Sequence, residues 1–147
     1  MLIYLDICCF NRPFDSQGDL LVRLQTEAKL HVQEKIRLGK IGLAWSAVLD
    51  LENEANPDRE RYLAIADWKA LASVDVEMTS MIEGMADSFA QVGVKAMDAL
   101  HVASAIASGA GWLLTTDKHL LKKLKDEASI KVLDPVDFVR VLQESQP

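Results

Sequence analysis

The chain is poor in cysteine, proline and aromatic side chains, with two Cys, four Pro and 6% Phe, Trp and Tyr in 147 residues. Cys8 and Cys9 are adjacent, which rules out an ordinary structural disulfide between them, and no second pair exists to build a zinc site. They read as small, mostly buried residues at the end of a first strand. No apolar run approaches membrane-span length, and the start Met1-Leu2-Ile3-Tyr4-Leu5-Asp6 lacks the basic opening of a signal peptide. A cytoplasmic protein is therefore expected. Positive charge is also scarce: 16 Lys and Arg against 22 Asp and Glu leave a net charge of −6. That excludes a broad electrostatic grip on nucleic acid. It does not exclude a nucleic-acid enzyme, because bound metal inverts the local sign of an acidic site. The basic residues that do cluster, Lys118, Lys122, Lys123 and Lys125, limit any phosphate contact to one place.

Half the residues are hydrophobic and about a quarter charged, the composition of an ordinary globular domain. Without repeat, low-complexity tract or linker, residues 1–147 read as a single domain. Leu2 to Asp6 reads as a short apolar strand, followed by a polar loop from Asn11 to Gly18. A long helix is expected from about Asp19 to Leu38, with Leu20, Leu21, Leu24, Ala28, Val32 and Ile36 on its buried side and Gly39 at its stop. Ile41 to Trp45 reads as a strand, and Ser46 as the N-cap of a helix over Ala47 to Ala55. Helices over Asp58 to Leu71, Glu77 to Gln91 and Met97 to Ser108 follow, with a short strand at Ala72 to Val76. Strand Trp112 to Thr115, helix Lys118 to Glu127, strand Ile130 to Leu133 and helix Pro135 to Gln143 complete the pattern. Strands alternating with helices predict an α/β three-layer sandwich, its mainly parallel central sheet flanked by helices.

In such sheets, sites form beyond the carboxyl ends of the strands. Asp6 and Asp117 each close an apolar strand there, and Glu52 and Asp98 lie near helix starts that face the same edge. Advancing about 100° per residue, Glu52 falls about 40° from Val48, inside the apolar arc of Val48, Leu49, Leu51 and Ala55. Asp50 and Glu54 fall on the opposite side. Asp98 opens a helix in which His101 is the next ionisable residue, which implies burial on nearly all sides. Each position has a plain structural reading as well: Asp6, Asp98 and Asp117 suit helix starts, and Glu52 can snorkel to solvent. His101, one turn beyond Asp98, reads rather as packed and satisfied than as part of a site, although it can donate to a carboxylate or phosphate. Convergence of four buried or strand-end acids is what points to a hard divalent metal held through oxygen.

Together these segments resemble the PIN-domain family of metal-dependent nucleases, of the VapC-like toxin kind, over essentially the whole chain. Ile3-Tyr4-Leu5-Asp6 is similar to the family's first strand and its acid. Trp45-Ser46-Ala47-Val48-Leu49-Asp50-Leu51-Glu52 is similar to the second motif, a strand, a serine and a helical glutamate. Lys95-Ala96-Met97-Asp98-Ala99-Leu100-His101-Val102-Ala103 matches the third, and Leu113-Leu114-Thr115-Thr116-Asp117-Lys118-His119-Leu120 the fourth. The resemblance implies a PIN-like fold and endonucleolytic cleavage of RNA with Mg²⁺ or Mn²⁺. It implies Asp6, Asp98, Asp117 and Glu52 as metal-binding and catalytic residues, and a toxin restrained by a cognate antitoxin protein. Asn11, Arg12 and Thr115 are the further candidates for substrate or water contact, and Lys95, Lys118 and Lys122 for flanking phosphates. A homodimer is expected, with a role for the apolar positions Trp68, Met78, Met81, Ile82 and Met85 in core or partner surface. Two rivals stand beside this reading: a PIN-like scaffold or partner-binding module with weak or no nuclease activity, and a receiver-type phosphate switch. The second is disfavoured because Asp6 has no acidic neighbour in its own strand.

Overall fold

The computed structural model describes residues 1–145. Five short strands form one parallel sheet in the order β3-β2-β1-β4-β5: β1 (Leu2–Leu5), β2 (Gly42–Ser46), β3 (Val74–Val76), β4 (Trp112–Leu114) and β5 (Lys131–Leu133). Central strand β1 pairs Ile3 with Leu43 on one side and with Trp112 on the other, so β1 and β4 end side by side. The chain builds outward through β2 and β3, then crosses back to β4. The β1–β4 gap is therefore the switch point of the sheet, the place at the carboxyl edge where sites form in folds of this kind.

The helices are α1 (Ile7–Asn11), α2 (Leu20–Arg37), α3 (Ala47–Glu54), α4 (Arg59–Trp68), α5 (Ser80–Gln91), α6 (Ala96–Ala107), α7 (Lys118–Lys123) and α8 (Pro135–Glu144). Single 3₁₀ turns follow α1 at Arg12–Phe14 and α4 at Lys69–Leu71. Side-chain oxygens define most starts: Asp19, Ser46, Asp58, Thr79, Asp117 and Asp134 each accept a backbone N–H of the first turn. Glycines of positive φ close three helices, Gly39 (φ 72) after α2, Gly93 (φ 99) after α5 and Gly109 (φ 83) after α6. Helix α2 packs on α8, while α6 packs on α3 and α5. The sheet lies between these helical layers, and β1 is sealed on both faces, Ile3, Tyr4 and Leu5 having no exposed surface. Each such fully buried aliphatic side chain stabilises the fold by about 1.5–3 kcal/mol.

Two expectations need correction. The buried side of α2 is not its leucine stripe: Leu20, Leu21 and Leu24 are 63%, 45% and 49% exposed. The side turned inward carries Gln25, Thr26, Ala28, Lys29, Val32, Gln33 and Ile36. Polar anchors fix this phase. Gln25 accepts from Arg12 Nε at 2.9 Å and donates to Asp134 Oδ2 at 2.6 Å, while the Lys29 ammonium lies over the Phe10 and Trp68 rings. Burial lowers the Lys29 pKa to about 8. The cysteines also sit differently from expectation, in α1 rather than in β1, with Cys9 buried and Cys8 only partly so. Of the apolar positions in and before α5, Ile82 is core, whereas Met81 is 67% exposed.

Candidate functional site

Asp6 follows the last residue of β1 and caps α1, its Oδ1 accepting the Ile7 N–H at 2.8 Å. The Thr115 hydroxyl, just past the end of β4, donates to Asp6 Oδ2 at 2.9 Å. Thr115 Oγ1 also accepts the Asp117 N–H at 3.1 Å, so one hydroxyl ties both strand-end acids together. The fixed carboxylate is 4% exposed and carries no formal ion pair with Lys or Arg among the described residues. Cys8 closes this corner, its Sγ 3.4 Å from both Asp6 Oδ2 and Thr115 Oγ1 and accepting the Thr116 N–H at 3.3 Å.

Glu52 reaches the same corner from α3. Ser46, at the end of β2, starts that helix by accepting the Leu49 N–H at 3.2 Å, and this sets the helix phase. Val48, Leu49 and Asn53 are buried, so the inner arc includes Glu52, as the phase argument requires. The arc is rotated from the expected one, however, and leaves Leu51 55% exposed and Ala55 outside. Asp50 faces outward to Lys69 Nζ at 2.9 Å. Glu52 Oε1 is hydrogen-bonded to His101 Nε2, and that nitrogen stands 3.7 Å from Asp6 Oδ1. Asp6, Glu52 and His101 each offer a ligand atom within 4.8 Å of the others, a group able to hold a metal ion.

His101 has no exposed surface. Its Nδ1 lies 2.6 Å from the Tyr4 hydroxyl, which in turn lies 2.6 Å from Ser46 Oγ. Burial holds the Tyr4 phenol well above its ordinary pKa range, so it stays protonated.

Asp98 occupies the first turn of α6 but does not cap it; Lys95 holds the N-cap position without a side-chain bond. The Asp98 carboxylate makes no hydrogen bond or ion pair among the described residues. Its pKa is pushed up to about 6, first by burial, then by the charges of Asp6 and Asp117, with Glu52 adding and His101 opposing. Asp98 therefore shares one field with the other three acids, although it stands outside the tighter group of Asp6, Glu52 and His101. Asp117 is the N-cap of α7 and accepts from the His119 and Leu120 N–H groups through Oδ1. Its capping role is realised, and Oδ2 carries no bond among the described residues.

The other candidates divide. Thr115 is in the site. Arg12 is not free for a phosphate: its guanidinium is engaged with Gln25 and, at 2.9 Å, with Asp15. Asn11 accepts weakly from Asn56 Nδ2 at 3.4 Å. A surface cavity of about 490 Å³ opens on α7, lined by His119, Lys122, Lys123, Lys125 and Asp126. Lys123 is tied to the Val92 carbonyl, whereas Lys122 and Lys125 have no ion-pair partner among the described residues. Sequence reasoning did not bring Tyr4 and Cys8 into the site, and it ranked His101 as packed ahead of its role as a donor to a carboxylate. Its one available signal was a histidine one turn beyond Asp98 on a helix without other charge.

No protein-family model matches the sequence, and no curated protein does either. Solved structures do. A chain of VapBC2 from Rickettsia felis, bound to a DNA fragment from their promoter, matches with a TM-score of 0.53 and 14% identity over 90% of this chain and 97% of that one. A chain of DNA-bound VapBC from Salmonella typhimurium matches with a TM-score of 0.54 and 16% identity over 92% of this chain and 99% of that one. At such identities the likeness is one of fold. The chain thus shares its fold with those VapBC chains, a three-layer α/β sandwich around a parallel sheet.

Proposed function

We propose that this protein is a cytoplasmic endoribonuclease dependent on Mg²⁺ or Mn²⁺, and the toxin of a type II toxin–antitoxin pair. The observation that carries the reading is Asp98, an unbonded carboxylate pushed up to about 6 by burial and by three neighbouring acids. A cluster of oxygen donors with no Lys or Arg ion pair among the described residues suits a hard divalent cation. Asp6, Asp98 and Asp117 would hold the ion, with Glu52 as a further ligand. Such an ion supplies charge for the departing oxygen of a phosphodiester and acidifies water toward a nucleophile.

The chain's own groups supply the rest. Thr115 holds Asp6 in one orientation, and Glu52 Oε2, which has no hydrogen-bond partner among the described residues, would either complete the metal's ligands or take a proton from the attacking water. Lys122, within the helix capped by Asp117, and Lys125, just after it, would be the candidates to neutralise phosphates of the bound strand. RNA is therefore the substrate class of this reading, gripped locally rather than broadly. The exposed leucines of α2 offer an apolar surface for a second copy or for an antitoxin, and both structural neighbours are VapBC complexes.

The test is cleavage of a labelled RNA by protein purified free of contaminating nuclease. Cleavage with Mg²⁺ or Mn²⁺ that stops with EDTA, and is lost in folded Asp98→Asn, is expected. Full activity in that variant, or none in the wild type with any divalent metal, would overturn the assignment, and the second outcome would favour a PIN-like scaffold.

A further inference from the structure

The contacts among Ser46, Tyr4, His101 and Glu52 join β2, β1, α6 and α3 in one buried chain of side chains. Its hydrogens can be placed in one direction without loss. Ser46 Oγ already accepts the Leu49 N–H, which leaves its own hydrogen for Tyr4. Tyr4 O–H then donates to His101 Nδ1, and the hydrogen on Nε2 goes to Glu52 Oε1. The reverse direction fails at both ends. Ser46 would keep a hydrogen with no acceptor among the described residues, and a neutral ring protonated on Nδ1 would turn a lone pair toward the Glu52 carboxylate.

We propose that His101 is a positioning residue for Glu52, locked by Tyr4 and Ser46 in the Nε2–H tautomer so that Oε1 is fixed and Oε2 is left without a partner among the described residues. This rests on the nuclease reading for its consequence but not for its geometry. A partly buried glutamate near a helix end still has more than one accessible rotamer. The Nε2–H donor removes that freedom for an acid whose task is to meet water or metal at one oxygen. Both ring nitrogens are thereby occupied, so His101 does not itself bind the metal, although Asp6, Glu52 and His101 lie within ligand distance of one another. Partners that orient the groups of a metal centre in this way are typically worth about 10- to 100-fold in affinity or activity.

Three readouts on the full chain decide the matter. In ¹⁵N-histidine NMR of the metal-free protein, His101 is expected to carry its proton on Nε2. Tyr4→Phe should perturb the Nδ1 signal, and Glu52→Gln the Nε2 signal. In single-turnover cleavage of RNA with Mn²⁺, Tyr4→Phe and His101→Leu should lower kcat about 10- to 100-fold with little change in KM, and His101→Gln, which keeps a donor, should recover part of the rate. In pulsed EPR of the Mn²⁺-loaded protein, no direct imidazole nitrogen coupling should arise from His101. A proton on Nδ1, a His101→Leu variant with wild-type kcat, or a nitrogen coupling lost in His101→Gln would each overturn the proposal. If the wild type cuts no RNA, the nuclease reading fails, while the NMR assignment still decides whether Tyr4 and Glu52 lock the ring.

Discussion

Replacing Asp98 by asparagine should make the metal-free protein more stable and the metal-loaded protein less so. In the fold the carboxyl pKa is raised from 3.8 to about 6. Protonation is thus favoured by folding: the stabilising contribution is complete below the unfolded pKa and is lost as pH rises from about 4 through about 6. Above pH 7 the folded protein carries the full penalty of an ionised Asp98 that is partly buried and faces Asp6, Asp117 and Glu52. Two pKa units correspond to about 3 kcal/mol, but Asp98 is only half-buried, and solvent screening reduces the figure to about 1 kcal/mol. Asparagine mimics the protonated form and escapes the penalty. For a chain of this size, Asp98→Asn in EDTA at pH 8 should melt about 3–5 °C above the wild type, an advantage that shrinks toward pH 4. Millimolar Mn²⁺ should reverse the order, because the ion stabilises the wild type by mass action while the variant has lost a ligand. Thermal melts across pH, with EDTA and with Mn²⁺, read both arms. A variant no more stable than the wild type in EDTA at pH 8, or equally stabilised by Mn²⁺, would refute the reasoning.

Asp117 combines a cap with a charge, and two substitutions separate them. Asp117→Asn keeps an oxygen for the His119 and Leu120 N–H groups, so stability should hold within a few tenths of a kcal/mol while cleavage falls; Asp117→Ala should cost about 1 kcal/mol more, measured by urea unfolding. Removing Lys122 and Lys125 together by Lys→Gln should weaken binding of an uncleavable RNA analogue and flatten its dependence of log K on log salt by about 1.4, at about 0.7 per phosphate on a single strand. Fluorescence anisotropy at several salt concentrations checks this, and an unchanged slope would remove the α7 cavity from the RNA path.

The parallel layout was legible because strand and helix periods alternate with clear stops, and every strand-end acid followed from that layout. Glu52 was recognisable from helix phase, yet the arc used to find it was rotated, since Asn53 rather than Leu51 turned out to be inside. The leucine stripe of α2 misled for the opposite reason. Helix phase there is fixed by distant polar partners, Arg12 and Asp134 for Gln25, which no local pattern contains. Arg12 likewise looked available until the fold supplied Gln25 and Asp15. His101 was read as packed and satisfied rather than as part of a site; it is buried, but its partners, Tyr4 and Glu52, lie 97 and 49 residues away and only the fold brings them together. Thr115 could be singled out because the acids it bonds, Asp6 and Asp117, follow two neighbouring strand ends, where β1 and β4 run in register.

The central claim is that the acids at the β1–β4 switch point form one divalent-metal centre. Anomalous diffraction from crystals of the protein grown with Mn²⁺ tests it most directly. The account predicts a manganese peak enclosed by carboxylates of Asp6, Asp98 and Asp117, and its loss in Asp98→Asn. A peak elsewhere, or none at millimolar Mn²⁺ with the four acids ordered, would contradict it.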